Sequence, residues 1–449
     1  AGWQALVVAA ALAGLAMLPL APPLLEPQLD NSFAAVLHHA AAQPPAERPR
    51  LISTYGPLGF SQASLYLPAT FGRMLGLRAV SAAALCAAVG WLGWAAWRTP
   101  WGGAVALAVA APLAGGGDAR FFLLLGLLPL LALARPWPPP PIRLAVGVAL
   151  GLAALTKATC PIAAAVVLPP LALADLLARR LPLAALAALL TTAVGWWWSG
   201  EDVGAAVAYL DWSLREIVPG YSQAMPLRAA PALVWHAASV SAALWVWIAA
   251  LAWRRRRRGW WAAPLAAAPL LLLQFKAGFV RADVHVFTTA FALLAEGAWL
   301  ALLLGRRPAA LASGALLVAA LPGALLWHAW TGAGAPVGLF RLVTPAELAR
   351  RATTLPALWR GEILAPAHAR RVHELDGSLP LPAFDGGVDM FGHDQSRLVA
   401  AGAPYRPRPV FQGYMAYTAR VAAENAAFLA SPDAPRWILF DPQSIDGRF

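Results

Sequence analysis

The sequence predicts an all-α polytopic membrane domain of about eleven transmembrane helices, followed by a small C-terminal extracytoplasmic α/β domain. Three observations predict it. Hydrophobic residues fill 60% of the 449 positions and charged ones only 12%, and the mean hydropathy is +0.60, too apolar for a water-soluble chain of this length. Several apolar runs reach the ~20 residues that cross a bilayer. Arginines then recur in every second connection between those runs, which marks the cytoplasmic loops.

Taken in order, the predicted spans cover 4–24, 76–97, 102–116, 119–134, 143–156, 159–178, 181–199, 231–253, 259–275, 284–304 and 308–328. Arg98, Arg135 with Arg143, Arg179 with Arg180, Arg254 to Arg258, and Arg306 with Arg307 fall in alternate connections. The N-terminus is therefore expected inside and the C-terminal domain outside. The first span runs into Pro22 and Pro23 without a small-residue cleavage site, so it reads as a retained helix rather than a signal peptide. The missing initiator Met reads as a partial or processed chain. These boundaries give a membrane domain over 1–335 with a long first loop at 25–75, and a second domain over 340–449, its sheet expected to be cut short at the chain end.

That first loop opens with Leu29-Asp30-Asn31-Ser32, passes His38 and His39, and reaches Thr54-Tyr55-Gly56-Pro57-Leu58-Gly59, a turn signal because Pro fixes φ and glycine tolerates tight backbone. The stretch from Leu65 to Met74 has the content of an interfacial segment interrupted by Pro68. Region 200–230 carries Glu201, Asp202, Asp211, Trp212, Arg215 and Glu216 on a surface-helix pattern, which suits a sugar site or a solvated face. Lys276, Arg281, Asp283 and His285 crowd one membrane boundary, where charges are costly and usually functional; the plainer alternative is a helix N-cap with cations on lipid phosphates.

Past residue 340 the pattern predicts helix near 345–358, strand near 387–391, helix near 394–401, strand near 408–412, helix near 417–430 and strand near 436–441. Tyr405, Arg406, Arg408, Gln412, Tyr414 and Tyr417 are of exposed type and suit docking on the membrane part, with acceptor binding as the other reading.

Several function classes are excluded or disfavoured. The net charge of +12 is spread over short loops, not gathered on one face, which argues against a nucleic-acid partner. Cys86 and Cys160 lie in predicted spans and indicate neither a disulfide framework nor a thiolate metal site. No Walker loop, dinucleotide fingerprint, zincin pattern or nucleophile elbow occurs. Gly147 and Gly151 predict close helix packing, Glu296 a helix–helix hydrogen bond, and Asp175 with Arg179 an ion pair on one helix face. Asp118 and Arg120 follow Gly115-Gly116-Gly117 in what reads first as a plain turn, with a contribution to a polar cavity as the other reading.

Of the 34 basic residues only Lys157 and Lys276 are lysines, both at extracytoplasmic helix ends. An ammonium is a compact charge that closes on one phosphate oxygen, so a phosphate-bearing substrate gives both positions a purpose; snorkelling to the headgroups is the simpler account.

An acid directly after the first span, a long loop with interfacial segments, many spans and a C-terminal outer domain together resemble the GT-C glycosyltransferases. Tyr55-Gly56-Pro57-Leu58 is similar to the aromatic-Pro-Pro-Leu stretch late in their first loop, and Leu152-Thr156-Lys157 to their helix-ending motif with a basic residue near the donor phosphate. Uncharacterised bacterial membrane proteins share the Thr-Tyr-Gly-Pro-Leu-Gly pattern. The resemblance implies a bacterial cytoplasmic-membrane enzyme that moves a sugar from a polyprenyl-phosphate lipid donor to an envelope glycan, lipid or protein acceptor. Asp30 would be the general base, and Lys157, Lys276 and Arg281 would hold the phosphate, with Tyr55, Asp283 and His285 binding substrate. Asn31 stands where the family often has a second acid, which leaves open whether a divalent metal takes part. A transporter or flippase of a lipid-linked substrate and a non-catalytic envelope scaffold are the alternatives.

Overall fold

The computed structural model describes residues 2–113, 117–256, 259–283, 285–305, 308–333, 345–378, 380–441 and 443–445. The chain is 71% helical with little sheet. Helix occupies every stretch that the sequence marks as apolar: α1 Gly2–Met17, α3 Pro68–Trp97, α4 Pro100–Leu113, α5 Gly117–Leu133, α6 Pro140–Ala154, α7 Thr159–Leu177, α8 Leu183–Trp198, α11 Pro231–Arg255, α12 Ala262–Phe279 and α13 His285–Leu304. The last stretch holds α14 Pro308–Ala315 and α15 Ala324–Ala333, joined by a π-helical turn around Pro322.

Among the described residues, α3, α7, α11, α12 and α13 are long and apolar enough to cross a membrane. A sixth span results if α8 counts together with α9 Val203–Trp212 and α10 Val218–Ala224, to which it is joined at a 110° bend. Outward-facing Leu189, Trp197, Trp235 and Leu272 are each more than two-thirds exposed, leaving an apolar surface that water would not cover. This is a multi-pass membrane architecture.

Proline decides two boundaries differently from the sequence pattern. The helix expected over 4–24 ends at Met17, because Pro19, Pro22 and Pro23 follow and cannot continue it. Asp30 consequently lies on the first turn of a separate helix, α2 Leu29–Ala42. Pro68 does not interrupt an interfacial segment. It occupies the start of the 30-residue α3, where its missing N–H costs nothing.

Small residues set the helix contacts. A Cβ on Gly147 would run into the Ala184 carbonyl oxygen, and one on Gly151 would lie 2.6 Å from that of Ala188, so α6 and α8 touch backbone to backbone as the glycine spacing predicts. Gly93 and Gly102 do the same for α3 and α4. Buried Glu296 on α13 accepts from Gln274 of α12 at 2.6 Å and fills the space beside Gly126 of α5, which is the expected helix–helix bond.

Arg135, Arg143 and Arg255 gather at one end of the bundle. Arg255 donates to the carbonyls of Leu133 and Leu303, Arg135 to that of Arg255, and Arg143 to that of Leu181. Cations on the last carbonyls of a helix also oppose its dipole. Asp175 pairs with Arg143 at 3.6 Å, not with Arg179, because α7 ends at Leu177 and Arg179 turns away with φ of 57°. Arg257, Arg258, Arg306 and Arg307, and the boundary expected near 335–340, lie outside the described residues.

The C-terminal segment holds helices Pro345–Trp359, Leu364–Ser378, Ser396–Ala400 and Ala419–Leu429, with strands β1 Val388–Phe391 and β2 Trp437–Phe440 paired in parallel. The strand expected near 408–412 does not form. Pro407 and Pro409 lack donors, the Pro409 carbonyl accepts from Ile52, and Val410 exchanges both backbone bonds with the Asn425 side chain. Arg408 is fully buried against Asp389 at 2.7 Å, contrary to its exposed-type reading.

This segment packs on the end of α1, the irregular stretch after it and the start of α2, and supplies donors to their carbonyls: Arg351 to Leu15 and Leu18, Arg371 to Leu25, Ser396 to Glu26 and Gln412 to Leu29. Arg420 further bridges Asp211 and Glu216.

Candidate functional site

At the end of the bundle opposite the arginines, two of the sequence motifs meet. Gly56 N–H donates to Thr156 and Leu58 N–H to Leu155, while Ala158 N–H returns to Thr54, so Tyr55 and Lys157 form an antiparallel bridge. Glycine is required beside this bridge because a Cβ at position 56 would lie 2.6 Å from the Leu155 oxygen. Lys157 Nζ sits 5.6 Å from the Tyr55 ring centre and 2.7 Å from Asp118 Oδ2. Burial by itself would lower the Lys157 pKa, but the adjoining Asp118 carboxylate outweighs it and holds the ammonium well above its ordinary value.

Asp118 stands on the first turn of α5, and its other oxygen accepts from Gln62 at 3.2 Å. Gln62 is positioned in turn by buried Arg78 of α3, which donates to the carbonyls of Ser61 and Gln62 and to the Ser64 hydroxyl. Asp118 is thus the site residue that sequence reading underrates. Three glycines before it look like a turn, and only its contact with one of two lysines marks it.

The second cluster follows α12. Backbone bonds join Leu227 to Val280 and Ala282, which fixes Arg281. Arg281 Nε lies 2.7 Å from Asp283 Oδ2, and Asp283 Oδ1 accepts from the backbone N–H and ring nitrogen of His285. Burial would raise the Asp283 pKa, yet these bonds from His285 and Arg281 keep it below the usual carboxylate range.

Electrostatic coupling joins the two clusters. Arg281, Lys157, Asp283 and Asp118 all act on Tyr221 of α10, and Asp30, Tyr221 and Arg281 act on Tyr414 of the C-terminal segment. Lys157, Asp118 and Asp30 act on Tyr55. Burial is the leading cause that raises all three phenols, so they remain protonated. Tyr55 thus feels Lys157 and Asp30, Tyr221 feels Lys157, Arg281 and Asp283, and His285 acts on Asp118 and Asp283. Asp30 is exposed, and its side chain has no ion pair among the described residues. Lys276 is exposed on the last turn of α12 and likewise forms no ion pair with a described residue.

Beside Tyr55 opens a cavity of about 340 Å³ walled by Trp196, Tyr209, Trp212 and the Arg48–Glu201 pair. Flat aromatic faces next to a charged pair can take a polar ring such as a sugar. Among the described residues no group of three or more His, Cys, Asp or Glu side chains is arranged to hold a metal ion. No family model, curated protein or solved structure matches this chain.

Proposed function

We propose that this chain is a GT-C-like glycosyltransferase that moves a sugar from a polyprenyl-phosphate donor to an extracytoplasmic envelope acceptor. It would lie in a bacterial cytoplasmic membrane with eleven spans, N-terminus inside, and the site and C-terminal segment outside. The observation that carries the reading is the pairing of Tyr55 with Lys157, because it joins the loop motif to the helix-end motif and puts the Lys157 cation against a ring that lines an aromatic-walled cavity and that the Asp30 charge also reaches.

The chemistry needs one base and several cations around an anomeric carbon. Asp30 takes the acceptor hydroxyl proton. The freed oxygen forms the new C–O bond while the bond from the sugar to phosphate breaks, and the polyprenyl phosphate leaves with the electron pair. Lys157 and Arg281 then exchange Asp118 and Asp283 for the departing phosphate. Protonated Tyr55 and Tyr221 are further donors to its oxygens.

The test is transfer from labelled polyprenyl-phosphate sugars by the reconstituted full chain. Asp30→Asn keeps shape and removes basicity, so transfer is expected to vanish while the melting temperature stays unchanged. Transfer that persists in Asp30→Asn would remove the central residue. One observation favours a rival: the 110° break between α8 and α9 is of the kind found in transporters. Movement of the labelled lipid across proteoliposomes without sugar turnover would select that reading.

A further inference from the structure

The arginine end of the bundle encloses a cavity of about 440 Å³ between α5, α6, α7, α8, α11 and α12, remote from the site above. Leu128, Leu131, Leu168 and Leu171 supply aliphatic wall. Arg143, Arg180 and Arg255 supply three cations against the single carboxylate of Asp175, so the charged part is net positive.

Three polar atoms in this wall are buried without a partner: Arg143 Nε, Trp137 Nε1 and Asp175 Oδ1. Their neighbours are engaged. Arg143 Nη1 bonds the Leu181 carbonyl at 3.0 Å, and the Arg180 guanidinium lies 4.8 Å from the Trp137 ring centre. A buried donor or acceptor left unpaired is costly, and here the three side chains that carry two such donors and one such acceptor line the same amphipathic space. The ligand that completes them must offer anionic acceptor oxygens, a donor close to them, and hydrocarbon.

We infer that this cavity binds a membrane phospholipid whose headgroup carries an N–H or O–H donor beyond its phosphate. The phosphodiester oxygens accept from Arg143 Nε and Trp137 Nε1. The ammonium of ethanolamine or a hydroxyl of glycerol donates to Asp175 Oδ1, and an acyl chain lies along the leucines. Basic pockets between membrane helices at headgroup level are suited to such anions. Choline has neither an N–H nor an O–H, so phosphatidylcholine cannot satisfy Asp175.

Native mass spectrometry of the purified full chain, titrated with phosphatidylethanolamine, phosphatidylglycerol and phosphatidylcholine, tests this. Either of the first two should be retained about tenfold more tightly than phosphatidylcholine, the scale of one hydrogen bond to a charged group. Trp137→Phe keeps the ring under Arg180 and removes only the N–H, so it should weaken retention while the melting temperature holds. Arg143→Gln should weaken it further. Equal retention of the three lipids, or retention unchanged in Trp137→Phe, would overturn the assignment. Displacement of bound lipid by inorganic phosphate would overturn it too, since the site would then take a free anion.

Discussion

Burial decides protonation at the residues that hold the first loop together. His38 is fully buried; its Nε2 donates to the Ala63 carbonyl at 2.8 Å, which leaves Nδ1 to accept from the Thr70 hydroxyl at 2.6 Å. Burial, aided by nearby Arg73 and opposed by backbone bonds to Ala63 and Phe60, lowers its pKa from 6.5 to about 4. The unfolded chain thus binds this proton from pH 6.5 downward and the folded chain only near 4. Stability from His38 is present in full above about pH 6.5 and is lost progressively as pH falls toward 4, by on the order of 3 kcal/mol. Thermal melts in detergent across that window should show the decline in the natural chain and a weaker one in His38→Gln. Identical slopes would remove the role given to this ring. At the same scale, Lys157 was legible because lysine is rare here, whereas Asp118 read first as part of a turn and only second as lining a polar cavity, since an acid after three glycines has no local signature of its distant partner.

Between elements, the decisive contact is the short ladder between 54–58 and 155–158. Neither side has strand periodicity, so no pattern announces it. The glycines do carry a trace of it. Gly56→Ala must push the Leu155 carbonyl away and is expected to cost on the order of 1–3 kcal/mol and to reduce the proposed transfer. Gly72→Ala is the contrasting change, as it lies exposed in α3 with nothing within 4 Å of the added methyl and should stabilise by about 0.5–1 kcal/mol. Melting temperatures and turnover of the two variants, measured side by side, check this; equal effects would mean that the ladder is loose. Helix positions were readable from apolar runs, but Pro19 and Pro68 show that a proline's effect depends on which side of it the helix can grow.

For the whole molecule, the two ends differ in chemistry: Arg135, Arg143 and Arg255 around a net positive cavity at one, lysine and arginine paired with Asp118 and Asp283 at the other. The eleven spans proposed above would put the chain ends on opposite sides. Single cysteines placed at Ser378 and at Arg256 should therefore react with an impermeant label from outside and inside, respectively. Labelling of both from one side would overturn the proposed topology and, with it, the placement of the site.

What the sequence by itself determined is the helical membrane architecture, since hydrocarbon length and the cost of charge act on every residue locally. It also singled out Asp30, Tyr55, Lys157, Arg281, Asp283 and His285 by residue type and position. Which of them meet was decided only by tertiary structure. Asp118 takes Lys157, Asp283 takes Arg281, and the stretch after α1 obtains its missing donors from residues more than 300 positions later, such as Arg351 and Ser396. The reason is physical: hydrophobicity is a property of each segment, whereas the partner of a buried charge or an unpaired carbonyl is set by packing between segments far apart in the chain.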